Sequence, residues 1–159
     1  MSKIQDYQNL IREYKRVTGE TEIDMKKVAK FGVDKFGIEL PPPSDPLDQL
    51  AKKIANAARG GTLVDKKTGR PYRANHAVVY TKNGVQQSFW VDIDEATRPQ
   101  MHRSIQKRRE QIVGDAYHMD LDLEHWNSIN PMDNPIQMSL DLTDDVAERK
   151  SLDQLDDAS

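Results

Sequence analysis

The chain has 159 residues and a formal net charge of −3, and this length suits one domain with or without a tail. It contains no cysteine, which excludes disulfides, thiolate metal sites and a cysteine nucleophile. No apolar run approaches the roughly 20 residues of a membrane-spanning helix, and residues 1–6 offer no apolar stretch for a signal peptide. These features predict a cytoplasmic protein with no membrane partner.

The charges are distributed unevenly along the chain. Residues 1–113 contain 21 Lys and Arg against 14 Asp and Glu, giving +7, whereas residues 114–159 contain 2 against 12, giving −10. A basic body with an acidic end is a pattern associated with nucleic-acid contact. The alternative is a solvated surface whose charges are segregated without a functional reason.

Three helices are predicted in the first part of the chain. Apolar residues at helical spacing indicate one helix over residues 3–17 and a second over residues 25–36, each followed by a glycine. Three prolines at 41–43 form a stiff connector. Pro46 then opens a third helix that runs to about Arg59, with its apolar side chains (Leu47, Leu50 and Ile54 among them) expected to face inward.

A β-hairpin is predicted after a basic, turn-rich loop over residues 66–75. Residues 76–81 and 85–93 alternate as strands, and Asn83-Gly84 between them suits a type I′ turn because both positions tolerate positive φ. Pairing across this turn sets Val78 opposite Phe89 and Tyr80 opposite Gln87.

The C-terminal part is expected to contain a basic fourth helix that starts at Thr97 or Arg98, before Pro99, runs to about Val113 and is ended by Gly114. Alternating residues then predict short strands at 119–123 and 136–142. From residue 144 the chain is acidic and is expected to be a flexible tail. The predicted organisation is therefore an α+β domain over residues 1–143 and a tail over 144–159.

The order of three helices, a basic loop and a hairpin over about residues 3–93 resembles winged-helix DNA-binding proteins. That resemblance implies that the third helix, of helix-turn-helix type, enters the major groove of DNA and that the hairpin acts as a wing. The polar residues of this helix can hydrogen-bond base edges or phosphates, and the adjoining loop adds cations. The predicted nucleic-acid-binding residues are Gln49, Lys52, Lys53, Asn56, Arg59, Lys66, Lys67, Arg70 and Arg73.

The fourth helix offers a second basic surface, with Arg98, Arg103, Lys107, Arg108 and Arg109 within twelve residues. A basic helix attracts polyanions through counterion release without reading sequence. The alternative is that this helix pairs with the acidic C-terminal segment of the same molecule, which would then act as an autoinhibitory mimic of phosphate.

Residues 137–142, Gln-Met-Ser-Leu-Asp-Leu, resemble the six-residue peptide by which bacterial replication and repair proteins bind the sliding clamp. The resemblance implies that Gln137 is the polar anchor and that Met138, Leu140 and Leu142 fill an apolar pocket. Methionine stands where the family pattern has leucine. The alternative is an edge strand whose apolar residues pack on the core.

No pattern in the sequence predicts a catalytic residue, a cofactor or a resident metal. In a strand, His118, Asp120, Asp122 and Glu124 would share one face and could approach a divalent ion, although their spacing of nearly 7 Å disfavours this. The leading hypothesis is a non-catalytic DNA-binding accessory protein of bacterial or phage type. The alternatives are an adaptor or inhibitor that docks through its C-terminal segment, and a metal-dependent nuclease.

Overall fold

A computed structural model describes residues 2–156, and side chains through residue 153. These residues form an α+β structure of five helices and two small antiparallel sheets. Contacts between residues divide the chain into two units, Met1–Asp48 and Gln49–Ser159. Residues 1 and 157–159, at the ends of the expected domain and tail, lie outside the described residues.

Two helices make up most of the first unit, α1 (Lys3–Thr18) and α2 (Met25–Phe36), and both predictions from helical periodicity are confirmed. The Ser2 hydroxyl accepts from a backbone N–H at the start of α1, and the Asp24 carboxylate does the same for α2. Such caps satisfy donors that a helix leaves unpaired at its N-terminus. Gly19 ends α1 with a φ of 71°.

Aromatic rings and a close helix approach hold the first unit together. Tyr14 is buried, and Phe31 meets its ring edge to face with the centroids 5.4 Å apart. A Cβ placed on Gly32 of α2 would lie 2.9 Å from side-chain carbons of both Leu10 and Ile38. A larger residue at position 32 would therefore force these two side chains to move.

The longer hairpin of the second unit joins β3 (Asn75–Lys82) and β4 (Val85–Asp92). Its register places Val78 opposite Phe89 and Tyr80 opposite Gln87, as the turn sequence predicts. Both turn residues have positive φ, 52° at Asn83 and 76° at Gly84, the backbone that a type I′ turn requires.

The segment before this hairpin differs from its prediction. Helix α3 spans Pro46–Gly60, close to the expected range, but Leu47, Leu50 and Ile54 are all exposed. Periodicity identifies the side chains that share a helix face and does not identify what covers that face. The expected loop at residues 66–75 contains a strand, β2 (Pro71–Arg73), which pairs with β1 (Thr62–Val64) just before the loop to form a second hairpin. Strands of three residues are too short to produce an alternating pattern.

Helix α4 spans Arg98–Ile129 and is about 48 Å long at 1.5 Å per residue. The prediction that it ends at Gly114 is wrong, and so is the strand predicted at 119–123. One glycine costs a helix only about 1 kcal/mol relative to alanine, and the residues that follow include good helix formers. Five alternating residues are too few to distinguish a strand from one side of a helix.

The strand predicted at 136–142 is also absent from the described chain, where these residues have no regular secondary structure. A strand needs a partner, and none of the described strands pairs with this segment. The acidic segment after it forms helix α5 (Thr143–Asp156) rather than irregular chain. Asp144 and Asp145 lie in its first turn, where negative charge interacts favourably with the helix dipole.

Candidate functional site

A groove of about 510 Å³ lies in the second unit, between the β3–β4 hairpin, α4 and the end of α3. We call it the basic groove because four cationic side chains line it, together with the carboxylate of Asp115. The four are Arg59, Arg73, Lys107 and Arg108. They come from α3, β2 and α4, so residues nearly 50 positions apart in the sequence meet at one site.

Arg59 reaches the groove from the last turn of α3. Its guanidinium carbon lies 5.6 Å from the centre of the Trp90 ring, and its Nη1 donates to Oδ1 of Asn56 at 2.8 Å. A guanidinium over an aromatic ring is attracted by the negative face of the ring. These two contacts hold the cation at the mouth of the groove beside a half-buried aromatic side chain.

Arg73 is the last residue of β2, and its neighbours fix its backbone. The Nε2 atom of the buried His76 lies 2.9 Å from the carbonyl oxygen of Arg73. The Tyr72 hydroxyl donates to Asp94 at 3.2 Å, and partial burial together with the nearby Asp94 carboxylate raises the pKa of Tyr72. The end of the short hairpin is thereby attached to the turn after β4.

Lys107 and Arg108 are positioned by the packing of α4 on β3. A capping box between Thr97 and Gln100 fixes the start of the helix. One turn further on, Ser104 is buried, and Arg103 lies 4.9 Å from the centre of the Tyr80 ring. These contacts hold the next residues of the helix beside the hairpin.

A second hollow of about 530 Å³ continues along α4 and shares Val79, Gln86 and Lys107 with the basic groove. His102 and Arg103 line it, as does Glu110. The combined surface therefore follows the helix over more than three turns. Its dominant charge is positive along this length.

The cations of the basic groove have no carboxylate partner in the described part of the chain. Among the described residues, the ion pair found within 4 Å is the one between Arg16 and Glu13 of α1. Asp115 is close enough to line the groove but does not form such a pair. The groove is consequently a concave surface with uncompensated positive charge, which is the electrostatic condition for binding an anion.

The structure brings together Arg59 and Arg73 of the residues predicted to bind nucleic acid. Lys52 and Lys53 lie on α3 outside the described lining of the groove, as does Gln49. Lys66 and Lys67 lie at the turn between β1 and β2, where a backbone N–H donates to the Asp65 carboxylate. Half-buried Arg70 has a buried Nε atom with no hydrogen-bond partner among the described residues.

Sequence reasoning identified Lys107 and Arg108 as phosphate-contacting candidates but placed them on a separate surface. It gave no binding role to Trp90, the aromatic side chain beside these cations. The hairpin register carried a usable signal, because it pairs Trp90 with Ala77. A small residue opposite a large ring leaves that face of the strand open.

The segment 137–142 leaves α4 through a loop closed by Asn127. The Asn127 amide donates to the Ile136 carbonyl oxygen at 3.0 Å and accepts from the Ile136 N–H at 2.9 Å. Beyond this point Met138, Leu140 and Leu142 are all exposed. They do not form the buried edge strand that was the alternative reading of this segment.

Residues 118–125 lie within α4, so the face shared by alternate residues of a strand does not exist. Successive alternate positions point about 200° apart around a helix. Among residues 2–156, no three His, Asp or Glu side chains are grouped so that they could hold a metal ion. The described helices likewise include none with the length and apolar character needed to cross a membrane.

Comparisons of the chain with protein-family models, with curated proteins and with solved structures find no significant match.

Proposed function

We propose that this protein is a non-catalytic DNA-binding accessory protein that holds the phosphate backbone in the basic groove. The observation that carries the proposal is the convergence of Arg59, Arg73, Lys107 and Arg108 on one concave surface. Phosphate oxygens are the usual targets of such side chains in protein–DNA contacts. Four cations from three elements line this surface without carboxylate partners, so they repel one another. A polyanionic ligand reduces that repulsion.

Trp90 supports the same proposal from another direction. The ring is half-buried, lines the groove and lies beneath Arg59. Aromatic rings next to cations provide a stacking surface for unpaired bases, whereas duplex DNA offers mainly its phosphates at such a site. A comparison of single-stranded and duplex DNA of equal length therefore belongs in the first experiment.

The test is charge reversal in the groove, with DNA affinity measured by fluorescence anisotropy across salt concentrations. Arg73→Glu combined with Lys107→Glu should weaken binding by about tenfold or more at low salt and flatten the salt dependence. The matched control is Lys26→Glu with Lys27→Glu on α2, which changes the net charge equally and should have a much smaller effect. Unchanged affinity in a folded groove variant would refute the proposal.

The α3 helix is tested separately because the winged-helix hypothesis assigns it the base contacts. Replacing Lys52 and Lys53 by Glu leaves the groove cations intact. A loss of affinity as large as that of the groove variant would support the α3 helix as a second contact surface. No loss would confine the contact to the groove.

A second candidate is docking on a bacterial sliding clamp through residues 137–142. The exposure of Met138, Leu140 and Leu142 in a segment without regular structure favours it, since a peptide must be accessible to enter a pocket. Gln137→Ala with Leu140→Ala should abolish binding to an immobilised clamp in surface plasmon resonance. Ser139→Ala in the same segment is the control, and equal binding by both variants would eliminate this candidate.

A further inference from the structure

Few apolar side chains are buried in the part of the chain whose side chains the structure describes, residues 2–153. Those that are buried are Tyr14, Val28 and Val78. Many large apolar side chains, Ile105 and Ile112 of α4 among them, are at least half exposed. Much of the described apolar surface is therefore accessible to a partner.

Helix α4 carries a stripe of apolar residues along one side. Its members recur at intervals of seven, four and three residues, which places them within about 80° of one another around the helix axis. They are Ile105, Ile112, Ala116, Met119, Leu123 and Trp126. Spacing of this kind is the pattern by which two helices pack along a common seam.

Part of this stripe faces an apolar groove of about 1190 Å³ between α4 and residues 139–150. Ile112, Ala116 and Met119 line it from α4, and Leu140 and Val146 line it from the C-terminal segment. Ile112 is 56% exposed and Val146 is 51% exposed. The groove has room for several large side chains of a packed helix.

The charges along α4 identify the helix that fits. Residues 98–113 contain five basic residues and one acidic residue, a net charge of +4, whereas residues 114–129 contain four acidic residues and no Lys or Arg, a net charge of −4. A second α4 in the antiparallel direction places each basic half beside an acidic half. A parallel copy would place like charges together.

We propose that two copies of this chain associate through an antiparallel pairing of their α4 stripes about a two-fold axis near Asp115. This register brings Arg109 beside Asp120 of the second copy, on one flank of the stripe. Every contact occurs twice, as two-fold symmetry requires. A stable interface removes about 800 Å² from each partner.

Arg109 and Asp120 provide a test that preserves the apolar surface, and both are exposed. Arg109→Glu alone and Asp120→Arg alone each create two like-charge contacts in the homodimer. We expect each to raise the dimer dissociation constant by about tenfold or more in sedimentation equilibrium of the full chain. An equimolar mixture of the two variants should restore the dimer, because both contacts between positions 109 and 120 then join opposite charges.

The apolar stripe is tested in parallel by Ile112→Asp, which should make the chain monomeric. Its control is Ile4→Asp on α1, where the replaced side chain is 71% exposed. Circular dichroism verifies that each variant remains helical. The proposal would be overturned if the wild-type chain stayed monomeric at concentrations about 100-fold above those of the DNA-binding assay. A mixture of the two charge variants that stayed monomeric would overturn it as well.

Discussion

The side chain of Asn127 closes the loop that follows α4. Its amide makes two hydrogen bonds to the backbone of Ile136, nine residues later, which matches the donor and acceptor that a neighbouring strand would offer. The loop between them contains Pro131 and Pro135, and both restrict the backbone before any contact forms. The place where the segment 137–142 leaves the loop is therefore fixed by the side-chain amide of Asn127.

Replacing Asn127 with Ala should release this loop while leaving α4 helical. Both hydrogen bonds are open to water, so the loss in the free energy of unfolding should be about 1 kcal/mol, measured by chemical denaturation. The Ile136 amide should lose its protection in NMR hydrogen exchange. Ser128→Ala, which removes a hydroxyl that bonds to the His125 carbonyl oxygen, should leave that amide protected.

At the scale of elements, local signals in the sequence differed in how much they predicted. The Asn83-Gly84 turn determined the register of a whole hairpin, because few backbone conformations connect two strands through two residues. The expectation that α4 ends at Gly114 was wrong, because a single glycine was treated as a stop where no proline or capping pattern accompanies it. A single glycine does not end a helix when long runs of helix-forming residues lie on both sides of it.

The candidate site was predictable in part for a similar reason. Arg59 could be named because it is a polar residue of the third predicted helix, and Arg73 because it lies in the basic loop that follows. Their meeting with Lys107 could not be inferred, since it depends on α4 packing against β3 and on β2 pairing with β1. Contacts between elements distant in sequence leave no trace in composition, and Trp90 acquires a role only once these elements are placed.

At the scale of the whole molecule, the segregation of charge can regulate the basic groove. The acidic residues of α5 belong to the same chain as the groove and remain at a high effective concentration relative to it. Under the proposed function, they would compete with DNA for the cations of the basic groove.

Neutralising three of these acids tests the competition. Asp145→Asn, Glu148→Gln and Asp153→Asn together raise the net charge from −3 to 0 and should tighten DNA binding several-fold at low salt, an effect that vanishes at high salt. The control neutralises Glu22, Asp34 and Glu39, which changes the net charge equally but leaves α5 intact. Equal tightening by both variants in fluorescence anisotropy would indicate a general charge effect rather than competition by α5.

The charge order within α4 has a consequence for the helix itself. The peptide dipoles of a helix place positive charge at its N-terminus and negative charge at its C-terminus, and the basic and acidic halves of α4 add to that dipole instead of opposing it. Its first turn contains no acidic residue and its last turn no basic residue. Dissolved salt screens the unfavourable interaction between these side chains and the helix dipole, and it also screens the attraction between the groove and a polyanion. Raising the ionic strength should thus stabilise the helix while it weakens the proposed binding of phosphate in the basic groove.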